Sequence, residues 1–267
     1  MDLHLTGKTV VITGGGTGIG KATAKEFLRE GCNVAICGRR LEKLEEVQKE
    51  CKEELGKDIM IKSVDVTDYD ALSAYADEVE AAYGRIDIWI NNAGSNHIKS
   101  LIDYDVQEFR GMMDVILMAV WAGCKIAALH MKKDGKGGVI LNASSFSAVI
   151  PNAGRGAYSA CKSGVSSLTR TYAAELAKDQ IRVLAYVPGM TATEISAKNI
   201  ATNGKYLMSS IPMQRFGTAQ DDADAIVFLA SDRAGYINGT QLEIAGAKFC
   251  VQNPLYAYQD RIDKAND

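Results

Sequence analysis

The segment that most restricts what this chain can become is Thr13, Gly14, Gly15, Gly16, Thr17, Gly18, Ile19, Gly20, which joins an apolar run, Thr9 to Ile12, to a helix beginning near Lys21. Glycines without a Cβ let a backbone turn sharply and approach a ligand closely. The first amides of the following helix are unpaired and carry partial positive charge. A turn of this kind between a first strand and a first helix is the entrance to a βαβ unit that binds a pyrophosphate. Gly14, Thr17, Gly18 and Ile19 are the positions expected to meet it.

The rest of the chain repeats the alternation of short apolar runs with helix-period segments that marks a parallel sheet. Strands are expected at Thr9 to Ile12, Asn33 to Cys37, Met60 to Val64, Ile86 to Ile90, Val139 to Asn142, Val183 to Val187 and Gln241 to Ile244. Leu41, Leu44, Val47, Cys51 and Leu55 form one helical stripe, and Leu72, Tyr75, Val79 and Tyr83 another. Thr67 with Asp70 has the look of a capping box opening the second. With 267 residues, 47% of them hydrophobic, the chain can bury both faces of such a sheet. The fold expected is α/β, a doubly wound parallel sheet in a single domain over 1–267. Pro188 to Gly217 is the least regular stretch and the candidate substrate lid. A final helix at Asp222 to Ala230 and a tail at 248–267 follow it.

A net charge of -3 argues against nucleic acid or an anionic membrane as partner. The six cysteines, Cys32, Cys37, Cys51, Cys124, Cys161 and Cys250, form no CxxC pair and accompany no histidine cluster. Free thiols in a reducing compartment, and no metal, are expected. Met1 to Lys8 lacks the apolar core of a signal peptide, and the longest uncharged stretch, Val115 to Cys124, is too short to span a bilayer. A soluble, cytoplasmic protein is expected.

The end of the second strand reads Gly38, Arg39, Arg40, where a carboxylate would accept hydrogen bonds from the ribose hydroxyls of NAD. Without that carboxylate a 2'-phosphate is not repelled, and a guanidinium binds it through paired, charge-assisted hydrogen bonds. Arg39 and Arg40 therefore favour NADP(H). Further on, Tyr158, Ser159, Ala160, Cys161, Lys162 sets a phenol and an ammonium four residues apart, on one face of a helix. The cation, with the positive charge of an oxidised nicotinamide added to it, is expected to draw the phenol's pKa toward working pH and make Tyr158 an acid and base.

With these residues in view, the sequence resembles the classical short-chain dehydrogenase/reductase family over nearly its whole length. Thr13 to Gly20 resembles the family's TGxxxGxG loop, Asn91, Asn92, Ala93, Gly94 matches its NNAG motif, and Tyr158 with Lys162 matches its YxxxK. Ser145, thirteen residues before Tyr158, stands where the family keeps a substrate-orienting serine. The resemblance implies a Rossmann sheet of about seven strands. It also implies a homotetramer packed through long helices, here about Asp105 to Lys132 and Asn152 to Ala177. Asp65 and Val66 would flank the adenine, Asn92, Ala93 and Gly94 would line the cofactor groove, and Pro188, Gly189 and Thr193 would hold the nicotinamide carboxamide. Lys162 would also contact the nicotinamide ribose. Ser145, Tyr158 and Lys162 would be catalytic, acting on a small-molecule carbonyl or alcohol.

One departure stands out. Met113, Asp114, Val115, Ile116, Leu117 places Ile116 where the family has a fourth catalytic residue, an asparagine that holds a water in the proton relay. Two readings stay open at this point: an active enzyme with a modified relay, in which Ile116→Asn raises turnover, or an NADP(H)-binding protein of little turnover that serves as a binding or interaction module. His97 after the NNAG turn and Arg155 before Tyr158 are further candidates to face the substrate. Met190, Ile195, Leu207, Met208, Ile211, Met213 and Phe216 give the lid an apolar cast that suits a hydrophobic or alicyclic ketone. With Phe249, Leu255, Tyr256 and Tyr258 in the tail, the chain resembles bacterial hydroxysteroid dehydrogenases. Sugar, polyol and 3-oxoacyl thioester reductases remain alternatives.

Overall fold

The computed structural model describes residues 2–251, so Leu255, Tyr256 and Tyr258 of the tail lie outside the described residues. Seven parallel strands form one sheet: β1 (Thr9–Thr13), β2 (Asn33–Gly38), β3 (Met60–Ser63), β4 (Ile88–Asn91), β5 (Gly138–Ala143), β6 (Ile181–Pro188) and, after two short strands named below, β9 (Gln241–Ile244). Their order is β3-β2-β1-β4-β5-β6-β9. Side chains alternate between faces along each strand. Val11, Ala35, Trp89, Ile140 and Val183 enter one core, and Val10, Ile12, Ile36, Ile90, Leu141 and Leu184 the other. Burial on both faces is what makes the strands read as unbroken apolar runs.

The second core is covered by α1 (Gly18–Arg29), α2 (Leu41–Leu55) and α8 (Ala219–Ala230), through Phe27, Leu44, Val47 and Ile226 among others. The first is covered by α3 (Tyr69–Tyr83), α4 (Val106–Met113), α5 (Ala119–Lys132) and α6 (Gly156–Leu176). A π-helical turn, Asp114–Met118, joins α4 to α5. By length and composition alone the run Val106–Lys132 is apolar enough to cross a membrane, against the expectation drawn from Val115 to Cys124. It is a core helix here: Met112, Ile116, Val120, Cys124 and Met131 are buried against the sheet.

Three local readings change. The cap of α3 is Asp68, whose carboxylate accepts the Ala71 N–H, while Thr67 bonds back to Asp65. The helix expected near Lys21 starts at Gly18. The stretch Pro188 to Gly217 is not wholly irregular. It holds a pair of two-residue strands, β7 (Thr191–Ala192) and β8 (Gly217–Thr218), and a helix, α7 (Glu194–Ser209), opened by a Thr193/Ser196 capping box. No residue of α7 is fully buried, so it left no apolar stripe to read.

Strand order reverses between β1 and β4, and a crevice opens there beyond the carboxyl ends of the strands. Ser145, Tyr158, Lys162 and the residues expected to meet the cofactor border it, whereas Ile116 and, of the apolar lid residues, Leu207, Met208, Ile211, Met213 and Phe216 do not.

Candidate active site

The crevice is a cleft of about 930 Å³ running from Arg39 and Asp65 at one end, past Gly14, Gly18 and Asn92, to Ser145, Tyr158 and Lys162. Thr17, Ile19, Arg40, Val66, Ala93, Gly94, Pro188, Gly189 and Thr193 border it as well.

Its floor is built by close approach of main chain to main chain. Gly14 has φ +68°, and its amide donates to the Cys37 carbonyl at 2.8 Å. A Cβ on Gly20 would sit 2.3 Å from the Gly14 carbonyl oxygen and 2.6 Å from Asn92 Nδ2. Helix α1 has no side-chain cap and no acid in its first turn, so its leading amides are available to an anion.

The two asparagines at the end of β4, Asn91 as its last residue and Asn92 just after it, do different work. Asn92 Nδ2 donates to the carbonyls of Thr13 (3.1 Å) and Gly14 (3.0 Å), and its Oδ1 accepts the Tyr186 hydroxyl at 2.9 Å, which pins the glycine turn to β6. Asn91 faces the core, where its Oδ1 accepts Trp89 Nε1 and its amide donates to Asn142 Oδ1, both at 2.8 Å. Asn142 passes the chain of bonds to Thr169 at 3.0 Å. This buried network has partners at each step, as a low-dielectric interior demands.

At the far end from the chemistry, Gly38 leaves the cleft without a carboxylate at the tip of β2. Asp65 is turned back on Thr67, whose amide and hydroxyl it accepts at 3.0 and 2.8 Å; these bonds and the nearby Arg39 hold its pKa below the usual carboxylate range. Arg40 is engaged: its guanidinium forks onto Glu194 of α7 at 3.1 and 3.0 Å. Glu194 and Lys43 were not singled out in the sequence, and both border the cleft.

At the other end, Ser145 lies two residues beyond β5, caps the 3-10 turn Phe146–Ala148 and is buried, with its hydroxyl accepting the Ser147 amide at 3.2 Å. Tyr158 and Lys162 lie one turn apart on α6. Lys162 Nζ is 5.8 Å from the Tyr158 ring centre and donates to the Ala143 carbonyl at 2.5 Å. Burial lowers the Lys162 ammonium to about 8. Burial raises the Tyr158 phenol, opposed by hydrogen bonding with Ser145 and by the Arg155 charge. In the chain by itself the shift runs upward because desolvation outweighs the charges around the phenol, whereas the downward pull expected from the sequence includes the charge of an oxidised nicotinamide. His97 is an exposed residue at the rim, and Arg155 lies beside Tyr158.

Ile116 sits in the π turn, fully buried among Met112, Val120, Ala157 and Cys161. Helix α6 presses close to this turn, since a Cβ on Gly164 would lie 2.8 Å from Leu117 Cδ1. The distortion common at functional helices is present, but its buried position carries an isoleucine and no polar side chain. Away from the cleft, the group Asp77, Glu80 and His130 has metal-ligand spacing, but the Lys133 ammonium is within reach of both Glu80 and His130 and supplies the positive charge.

The short chain dehydrogenase family model matches residues 8–204. The 3α-hydroxysteroid dehydrogenase of Mediterraneibacter gnavus is 36% identical over 249 residues, covering 92% of this chain and 99% of that protein. The 3-oxoacyl-(acyl-carrier-protein) reductase of Thermotoga maritima is 35% identical, covering 91% of this chain and 98% of its own. Among solved structures, a short-chain type dehydrogenase/reductase from Mycobacterium marinum superposes with a TM-score of 0.90 at 30% identity, over 94% of this chain and 98% of that one.

Proposed function

The chain belongs to the short-chain dehydrogenase family, whose members act on alcohols and carbonyls with a nicotinamide cofactor, and from that premise we propose an NADP(H)-dependent oxidoreductase that interconverts a ketone and a secondary alcohol on an apolar, alicyclic substrate such as a hydroxysteroid. The observation that carries this reading is the meeting of Ser145, Tyr158 and Lys162 in one cleft with the glycine turn. The groove suits a dinucleotide: close-approach glycines, an uncapped helix N-terminus, and Arg39 with Arg40 where no carboxylate opposes a 2'-phosphate.

The bound nicotinamide supplies the hydride. Ser145 and Tyr158 donate hydrogen bonds to the substrate carbonyl, polarising it and holding it in place. Tyr158 then gives its proton to the oxygen as negative charge develops there. Its raised pKa keeps the phenol protonated at neutral pH, the form a reductase needs at the start of its cycle. Lys162 keeps a positive charge near Tyr158 below about pH 8, held in position by the Ala143 carbonyl, and favours the phenolate left behind. The cofactor ribose hydroxyls also fall to Lys162.

Met190 and Ile195 on the lid side of the cleft support an apolar substrate, whereas Ile211 is spent on packing against Gly246. The lid spans about 188–217. Exposed Met118 at the end of the π turn, with Trp121 and Leu129 along α5, supports a homotetramer, to be checked by light scattering. Five buried free thiols fit a reducing cytoplasm.

The test is turnover on a panel of steroidal, cyclic and acyl ketones with NADPH and NADH in parallel, and with Tyr158→Phe as the blank. A loss in the variant of about a hundredfold or more is expected for a removed general acid. Preference for NADH sinks the cofactor assignment. Tight NADPH binding with no turnover on any ketone sinks the enzyme reading in favour of the binding module that Ile116 leaves open.

A further inference from the structure

One turn along α6 from Lys162 stands a polar cluster that the reaction described above does not use. Tyr158, Lys162 and Ser166 follow one another at four-residue steps and so share a face of the helix. Ser166 Oγ is 2.9 Å from the hydroxyl of Ser144, the residue just beyond β5, and donates to Gln241 Oε1 of β9 at 2.7 Å. Both serines are buried. Side chains from three elements far apart in the sequence thus meet in one line of hydrogen bonds, from the end of β5 through α6 to the last strand.

The order of donors in that line is forced. An amide oxygen only accepts, so Ser166 gives its one hydroxyl proton to Gln241, and the bond between the serines has to carry the proton of Ser144. Ser144 is left with free lone pairs and no proton of its own to place. It borders the cleft together with Lys162 and Tyr158. Lys162 is in need of such an acceptor. Its ammonium has three N–H groups, is buried, and among the described residues donates only to the carbonyl of Ala143, the residue directly before Ser144. The asparagine that the family resemblance calls for would help through a held water, but Ile116 offers an apolar side chain in its place.

Resting on the oxidoreductase reading above, we propose that Ser144, oriented by Ser166 and Gln241, takes over the part of the missing asparagine: its lone pair receives an N–H of Lys162, directly or through one water, and steadies the ammonium that acts on Tyr158. All three are positioning residues, since they reach the reaction through Lys162. The ammonium is supported from the last strand by way of α6, and the π turn is left free to carry an isoleucine.

The test is a cycle of Ser144→Ala, Ile116→Asn and the two together, in the full chain with NADPH and the best ketone of the panel. Ser144→Ala is expected to lower kcat about tenfold, the effect of one hydrogen bond to a charged group, with Kd for NADPH unchanged at about pH 6. Ile116→Asn is expected to alter kcat by about twofold at most by itself, and to restore most of the loss when Ser144 is alanine. A kcat that Ser144→Ala leaves intact, or the same loss with either residue at 116, overturns the proposal. Asparagine at 116 can spoil the core, so a second pair decides independently. Ser166→Thr and Ser166→Val have the same shape and differ by the hydroxyl; the first is expected to keep most of kcat and the second to lose about as much as Ser144→Ala, and equal rates overturn the proposal.

A third readout needs no turnover. Kd for NADPH is expected to weaken as Lys162, lowered by burial, loses its proton near pH 8, a break that Lys162→Met removes. Tyr158 and Cys161 are the other titratable groups beside it, with Arg155 and Tyr186 acting on Tyr158. An acceptor favours the charged ammonium, so Ser144→Ala is expected to move the break down by about one pH unit. A break that stays in place overturns the proposal. Absence of turnover on any ketone with the break shifted refutes the oxidoreductase reading and leaves Ser144 at Lys162, whereas turnover with the break unmoved does the reverse.

Discussion

The floor of the cleft and the proposed lid are made by opposite means. At the floor, Gly14, Gly20, Asn92 and Thr13 are locked by main-chain contacts and by bonds that cross the sheet from β1 to β6. At the lid, α7 buries no side chain and is held by a few polar ties: Arg40 on Glu194, Ser196 on the Thr191 carbonyl, and Thr191 on Asp222. On the proposed function, the part of a ligand common to the whole family would be met by backbone, and the variable part by side chains on a lightly anchored segment. Changes in the floor should cost folding and cofactor binding together. Changes in the lid should alter preference with little cost to the fold.

The same substitution in the two places gives the sharpest contrast. Ala in place of Gly in a helix ordinarily stabilises by about 0.5–1 kcal/mol. At Gly20 the new methyl meets the Gly14 carbonyl oxygen at 2.3 Å and Asn92 Nδ2 at 2.6 Å, and neither can retreat without opening the turn. Gly20→Ala is expected to lose about 2–4 kcal/mol by denaturant titration and to abolish cofactor binding. At Gly204 in α7 a Cβ meets nothing within 4 Å, so Gly204→Ala is expected to gain a few tenths to about 1 kcal/mol. Equal effects at the two sites would erase the distinction between floor and lid.

Asp222 tests whether the lid's anchor is itself strained. It is 1% exposed, accepts the Thr191 hydroxyl at 2.8 Å through Oδ2, and has no partner for Oδ1 among the described residues. Burial raises its pKa to about 7, with the neighbouring Asp221 carboxylate adding to the rise; the Tyr186 phenol also faces it. A raised carboxyl binds its proton more tightly in the folded chain than in the unfolded one. Its contribution to stability therefore falls as pH climbs from about 4 to about 7, and stays low above that. Asp222→Asn removes the dependence at the cost of an unpartnered amide. The expected result is a gain of about 1–3 kcal/mol at pH 8, read as a Tm several degrees higher, and little change at pH 5. A gain independent of pH would mean that Asp222 does not titrate in this range.

These two regions also differ in how far the sequence reveals them. The strands and the floor could be read because two-sided burial leaves unbroken apolar runs and because a tight turn admits little but glycine. Helix α7 could not, since nothing in it is buried and its capping box uses Thr193 and Ser196 rather than a carboxylate. Contacts between distant positions leave no local trace: Arg40 and Glu194 are 154 residues apart, Thr191 and Asp222 are 31 apart. The Tyr158–Lys162 pair was legible as a spacing, but the direction of the phenol's shift depends on desolvation, which only the packed structure supplies.

The smallest expected effect concerns the tie between the two regions. Arg40 stands at the cofactor end of the floor, yet its fork is filled by Glu194, the first residue of α7. A 2'-phosphate arriving there has to displace that carboxylate and is repelled by it until it does. Glu194→Gln keeps the length of the side chain and removes its charge. Because the pair is exposed and screened, the gain is modest: a KM for NADPH lower by about two- to fivefold, with NADH unchanged and the difference shrinking at high salt. The NADPH-to-NADH ratio of kcat/KM, measured at low and high ionic strength, separates the possibilities. If both cofactors gain equally, Glu194 acts by holding the lid shut rather than by competing for Arg40, and floor and lid are mechanically coupled where the comparison treats them as independent.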